Sequence, residues 1–110
     1  MTTTISRQDL QAKLAGANPP CLVEVLGSAY FADAHLPGAI NIPPDQVDLL
    51  APRLLPDLDA EVVVYCSGAS RNSEAAAQRL EELGYRRVLL YPAGKEDWIE
   101  HALPVERAAY

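Results

Sequence analysis

The chain has 110 residues, 49% of them apolar and 22% charged, a composition that suits one globular domain and excludes a disordered chain. Nine Lys+Arg against 15 Asp+Glu leave a net charge of −6, which argues against a nucleic-acid partner. Two cysteines exclude a disulfide scaffold and a four-thiolate zinc site, and no apolar run approaches the ~20 residues of a membrane span.

Ser6 to Gly16 reads as the first helix, with Ser6 as its cap and Leu10 and Leu14 at helical spacing. Asn18-Pro19-Pro20 breaks the chain. Cys21 to Leu26 is a short apolar run, as in a strand buried on both faces. Ser28 to Ala34 suits a short helix, and His35-Leu36-Pro37-Gly38 a turn. Ala39 to Ile42 is a second strand, stopped by Pro43-Pro44. Asp45 to Leu55 reads as a helical segment that ends or kinks at Pro52.

Glu61 to Cys66 is the clearest strand, a β-branched run ending in a cysteine. Ser67-Gly68-Ala69-Ser70 follows as a loop of small residues. Arg71 to Leu83 is the clearest helix, with Ala75, Ala76, Leu80 and Leu83 on one face and Gly84 placed to end it. Arg87 to Tyr91 is another buried strand, Pro92-Ala93-Gly94 a turn, and Glu96 to His101 a last helix bearing Trp98. Strands alternate with helices and look buried on both faces. That predicts an α/β fold with a parallel sheet wrapped by helices. Ligands then sit beyond the carboxyl ends of the strands. The first residues lack the basic-then-apolar pattern of a signal peptide, so the expected location is cytoplasmic.

Cys66 stands where a central strand ends. Amide groups of a tight loop can converge on such a thiol, and the following helix contributes its positive N-terminus. Arg71 adds a full charge in the first turn. All three favour thiolate, so the thiol should titrate below the free value of about 8.5. The bland alternative is a small core residue, with an arginine five positions on by chance. The strand–loop–helix setting favours catalysis.

Three blocks of residues together resemble the rhodanese-like sulfurtransferase domains, over about Ile5 to Pro104. His35 to Pro43 is similar to the family's signature turn and second strand. Val63-Val64-Tyr65-Cys66 through Arg71, then Ser73 and the alanine-rich helix to Leu83-Gly84-Tyr85, resembles its active-site strand, loop and helix. Val88 to Tyr91, Gly94 and Trp98 resemble its closing segment. The resemblance implies a single domain over residues 1–110, of three layers α/β/α with a central parallel sheet. It implies that Cys66 carries sulfur as a persulfide, cradled by Ser67, Gly68, Ala69, Ser70 and Arg71. No metal or organic cofactor is needed. The implied partners are a thiosulfate- or persulfide-type donor and a thiophilic acceptor, cyanide or a thiol, with a sulfur-relay protein as a further partner and no membrane.

The chain departs from the family pattern at three places. Glu24 and Leu26 stand where most members have Asp and Arg. Gly68 comes two residues after the cysteine rather than three, and Ala93-Gly94 replaces a Gly-Gly pair. Four residues separate Cys66 from Arg71, whereas phosphatases and arsenate reductases of this fold have five. The shorter loop suits a persulfide sulfur and places phosphate chemistry third. The second reading is a rhodanese-like module that binds a partner without turnover; the retained Cys66 and Arg71 weigh against it.

Other residues have plainer readings. His35 fixes a turn. Cys21 is a small core residue rather than a resolving thiol. Trp98 plugs the core. Asp57, Asp59 and Glu61 form a solvated connection, and His101 has no ligand-type neighbour at metal-site spacing. Lys95 is either a contact for an anionic donor or a surface lysine.

Overall fold

The computed structural model describes residues 2–68 and 71–107. Its elements in chain order are β1 (Thr3–Thr4), α1 (Arg7–Leu14), β2 (Cys21–Glu24), α2 (Ser28–Asp33), β3 (Ile40–Asn41), a 3₁₀ turn (Pro44–Gln46), α3 (Val47–Leu54), β4 (Glu61–Tyr65), α4 (Asn72–Glu82), β5 (Arg87–Leu90) and α5 (Gly94–Glu100). The strands form one parallel sheet in the order β1-β5-β4-β2-β3. β4 and β2, the most apolar strands, lie inside it, as strands covered on both faces must.

The two-residue period of β4 sorts the core. Val62 and Val64 face one way and join Val23, Val25, Ala76, Ala77 and Leu80 under α3 and α4. Val63 and Tyr65 face the other way and join Leu10, Leu22, Tyr91 and Trp98 under α1 and α5. The three-layer α/β/α expectation therefore holds. The next side chain after Tyr65 on this alternation, Cys66, falls on the α4 side.

Several local expectations hold as well. The Ser6 hydroxyl accepts the Asp9 N–H at 3.1 Å and caps α1. His35 secures its turn: its Nδ1 lies 2.7 Å from the Phe31 carbonyl, and its backbone bridges to Glu106. Trp98 is buried, with its indole N–H donating to the Pro104 carbonyl at 2.8 Å.

Others need correction. α3 runs past Pro52 to Leu54. Its buried Val47 and Ala51, with Leu55 just after it, hold it on the core, and the Tyr85 hydroxyl donates to the Ala51 carbonyl at 2.9 Å. On α4 the buried alanines are Ala76 and Ala77, while Ala75 is exposed. Cys21 is exposed at the start of β2, not a core residue. β1 adds an edge strand that pairs Thr3 with Leu89 and Thr4 with Leu90.

Candidate active site

Cys66 sits at the carboxyl end of β4 and is 1% exposed. Its Sγ lies 3.1 Å from the hydroxyl of Ser73, itself buried in the first turn of α4. Ser73 takes part in the contact because it is on the helix face turned toward the sheet, one residue beyond Asn72 at the helix start. Arg71 is exposed and immediately precedes α4. Two of the expected cradle residues, Ala69 and Ser70, lie outside the described residues.

The loop after Cys66 is pinned from one side by α5. The Lys95 N–H donates to the Cys66 carbonyl at 2.8 Å, and the Glu96 N–H donates to the Ser67 carbonyl at 2.9 Å. In a trans peptide the C=O and the following N–H point in opposite directions. Pinning these two carbonyls therefore turns the Ser67 and Gly68 amides away from α5. Backbone donors oriented in this way are suited to stabilising an anionic sulfur.

Two glycines make this approach possible. Gly94 has φ +71°, and a Cβ there would lie 2.6 Å from both the Cys66 carbonyl oxygen and the Gly68 nitrogen. Gly68 has φ +118°, and a Cβ there would meet the Ala93 carbonyl at 2.5 Å. The glycine at this place in the loop is thus required by backbone contact, two residues after the cysteine. The carboxylate of Glu96 lies beside the same point, 3.8 Å from that Cβ position.

Beneath the loop is a network that the sequence reading did not assemble. Lys95 is neither a surface lysine nor a group turned out to a donor: it is 9% exposed. Its Nζ donates to Glu24 Oε2 at 3.1 Å, to the Tyr30 carbonyl at 2.9 Å and to the Ala34 carbonyl at 2.7 Å. Glu24, fully buried at the end of β2, also accepts the Tyr65 hydroxyl at 3.0 Å. The Tyr65 oxygen in turn accepts the Leu36 N–H at 3.1 Å. Burial pushes the Glu24 carboxyl up, against the opposing pull of Lys95 and Tyr65. Burial and the nearby Glu24 charge raise the Tyr65 phenol, so it remains a donor. The only sequence signal for this pairing was Glu24 itself, a carboxylate in an otherwise apolar strand.

A groove of about 410 Å³ flanks the same end of α4, lined by Pro44, Asp45, Asp48, Asn72, Ala76 and Arg79 among others. Asp48 and Arg79 pair across it through two contacts, at 2.7 and 2.8 Å. The larger cavity, about 520 Å³, is apolar and lies between α1, the Pro37-Gly38 turn and Trp98. Among the described residues, none that lines it belongs to the Cys66 loop.

Known proteins resemble this chain over most of its length. The family model described as Rhodanese-like domain matches residues 6–101. A sulfurtransferase of Allochromatium vinosum is 30% identical over 105 residues, covering 96% of this chain and 95% of its own. The crystal structure of a thiosulfate sulfurtransferase from Pseudomonas aeruginosa superposes with a TM-score of 0.85 at 29% identity. That match covers 97% of this chain and 20% of the other, so this chain spans about a fifth of that protein. A human single-domain sulfurtransferase superposes with a TM-score of 0.78 at 26% identity, covering 91% of this chain and 97% of its own.

Proposed function

We propose, from the premise that the chain belongs to the rhodanese-like domain family, that it is a sulfurtransferase carrying a sulfane sulfur on Cys66 as a persulfide. The observation that carries this reading is the Cys66 sulfur itself. It lies 3.1 Å from the Ser73 hydroxyl, at the head of a loop whose first two carbonyls are held by α5. Such donors stabilise a thiolate and, after transfer, an anionic terminal sulfur.

With thiosulfate as donor, the Cys66 thiolate attacks the outer sulfur. The S–S bond of thiosulfate breaks, and sulfite leaves with the electron pair. Cyanide or a thiolate then attacks the outer sulfur of the persulfide and the Cys66 thiolate is regenerated. The cycle consumes no oxidant and no metal takes part. Small donors and acceptors, or a protein thiol in a sulfur relay, fit the same two steps. Intact-mass spectrometry after incubation with thiosulfate tests the reading: one added sulfur supports it, and no gain with any sulfane donor defeats it.

The site's charge also bears on the donor. Arg71 is a cation next to the loop and the Lys95 charge is matched by Glu24, while Glu96 lies beside Gly68 and the chain carries a net charge of −6. This field opposes a dianion such as thiosulfate. The expected KM for thiosulfate is high, and a less charged persulfide donor should have the larger kcat/KM. Arg71→Ala should raise the thiosulfate KM about tenfold, the value of one charge-assisted contact. Steady-state kinetics with both donors decide this; saturation by thiosulfate at micromolar concentration would contradict it.

The four-residue spacing from Cys66 to Arg71 also sets an expectation for phosphate esters. A tetrahedral phosphate needs a wider ring of donors than one sulfur. A chromogenic aryl phosphate should turn over far more slowly than thiosulfate with cyanide. Phosphatase turnover equal to sulfur transfer would overturn the assignment.

A further inference from the structure

We infer that Lys95 is a positioning residue for the chemistry at Cys66, acting through its backbone N–H while Glu24 anchors its side chain. The kinetic part of this inference rests on the sulfur-transfer reading; its thiol-reactivity part does not.

A lysine at 9% exposure suffers a large desolvation penalty unless its charge is matched. Here the match is complete. Three acceptors on Glu24, Tyr30 and Ala34 take the three ammonium protons. The acceptors come from the end of β2, from within α2 and from the residue just after it. Lys95 is the second residue of α5, a helix of only seven residues, too short to hold its own position. The ammonium therefore fixes the first turn of α5 to the carboxyl rim of the sheet.

That turn is where α5 meets the reactive loop. Lys95 and Glu96 hold the Cys66 and Ser67 carbonyls, and Gly94 packs against the Cys66–Gly68 backbone with no room for a methyl group. A contact this close transmits any shift of α5 to the amides beside the thiol. The Glu24 carboxylate acts from the other side as well. It accepts the hydroxyl of Tyr65, the residue before Cys66. One buried ion pair thus constrains the peptide on both sides of the nucleophile.

The test is the double variant Glu24→Gln/Lys95→Met in a Cys21→Ser background. Lys95→Met alone leaves a buried carboxylate unpaired and risks unfolding. The double variant removes both charges, keeps an acceptor for Tyr65 and fills the space of the lysine stem. It should melt cooperatively. For sulfur transfer, kcat should fall about tenfold or more while KM changes little, since only the placement of reacting groups is lost. Alkylation of Cys66 by iodoacetamide at pH 7 should slow by a similar factor. A purely structural pair gives the opposite sign, because loosening the fold exposes a buried thiol and speeds its alkylation. Unchanged or faster alkylation in the folded double variant overturns the inference. If the wild-type protein transfers no sulfur, the sulfurtransferase reading fails, and the alkylation rates still decide the role of Lys95.

Discussion

Cys66→Ser should take up no sulfur from any sulfane donor, whereas Cys21→Ser should take up one sulfur at the wild-type rate. The serine keeps the shape of the site and removes the atom that must form the S–S bond. Its hydroxyl, unlike the thiol, stays protonated at neutral pH, and a nearby Ser73 hydroxyl cannot act as its base. Loss of turnover should therefore be complete to the limit of the assay, with folding intact because Cys66 makes no disulfide. Cys21 cannot substitute. In the parallel register Cys21 pairs with Val62, four residues before Cys66. At the strand rise this places the two about 13 Å apart along the sheet. A disulfide needs Cα atoms within roughly 7 Å, so Cys21 is no resolving thiol either.

The exposure of Cys21 changes how the thiols must be compared. Being exposed, it alkylates in the wild type whatever its role. The pH profile of Cys66 is cleanly read only in Cys21→Ser. There the apparent pKa should fall below the free-thiol value of about 8.5, because the Ser73 hydroxyl, the α4 N-terminus and the turned amides favour the anion. Labelling with an apparent pKa at or above that value would remove the electrostatic basis of the proposal.

The parts legible in the sequence are those set by local pattern. The run Val62-Val63-Val64 places β4, and Ala76 and Leu80 lie on the face of α4 that the helical period assigns to the core, although the buried stripe takes in Ala77 where the sequence pointed to Ala75. The Ser6 cap and the turn at His35 are short-range hydrogen-bond chemistry and appear as expected. What was not legible depends on distance along the chain. Thr3-Thr4 is too short to show a period, and it is a strand only because β5 offers it an edge. Pro52 reads as a stop, yet burial of Ala51 and Leu55 outweighs the lost amide. Cys21 lies in an apolar run, but it is the first residue of its strand, at the rim. Glu24 and Lys95 are 71 positions apart, and no local pattern announces that two charges will be buried together. Nor does the sequence reveal that the loop after β4 is held from outside by α5, which is the feature that orients its amides.

Gly94→Ala should be severely damaging, and the reason separates into two parts. The first is conformational. At φ +71° an alanine is strained, at a cost of about 1–2 kcal/mol. The second is steric. The methyl would stand 2.6 Å from the Cys66 carbonyl oxygen, 2.6 Å from the Gly68 nitrogen and 2.7 Å from the Ser67 carbonyl carbon. All three are backbone atoms, so no side-chain rotation relieves the overlap, and the loop or α5 must move. Overpacking of this kind adds about 1–3 kcal/mol. At about 4–8 °C per kcal/mol for a domain near this size, the melting temperature should drop by roughly 8–40 °C. Gly38→Ala is the control, since Gly38 has φ +79° with nothing within 4 Å of an added Cβ. It should show the conformational part alone and leave sulfur uptake unchanged. In Gly94→Ala the displaced loop carries the Ser67 and Gly68 amides with it. Sulfur transfer should fall about a hundredfold at temperatures where the variant is still folded. Thermal unfolding and intact-mass uptake on the two variants read both parts. Equal melting temperatures, or wild-type sulfur uptake by Gly94→Ala, would mean that the contact between α5 and the Cys66 loop does not set the geometry of the site.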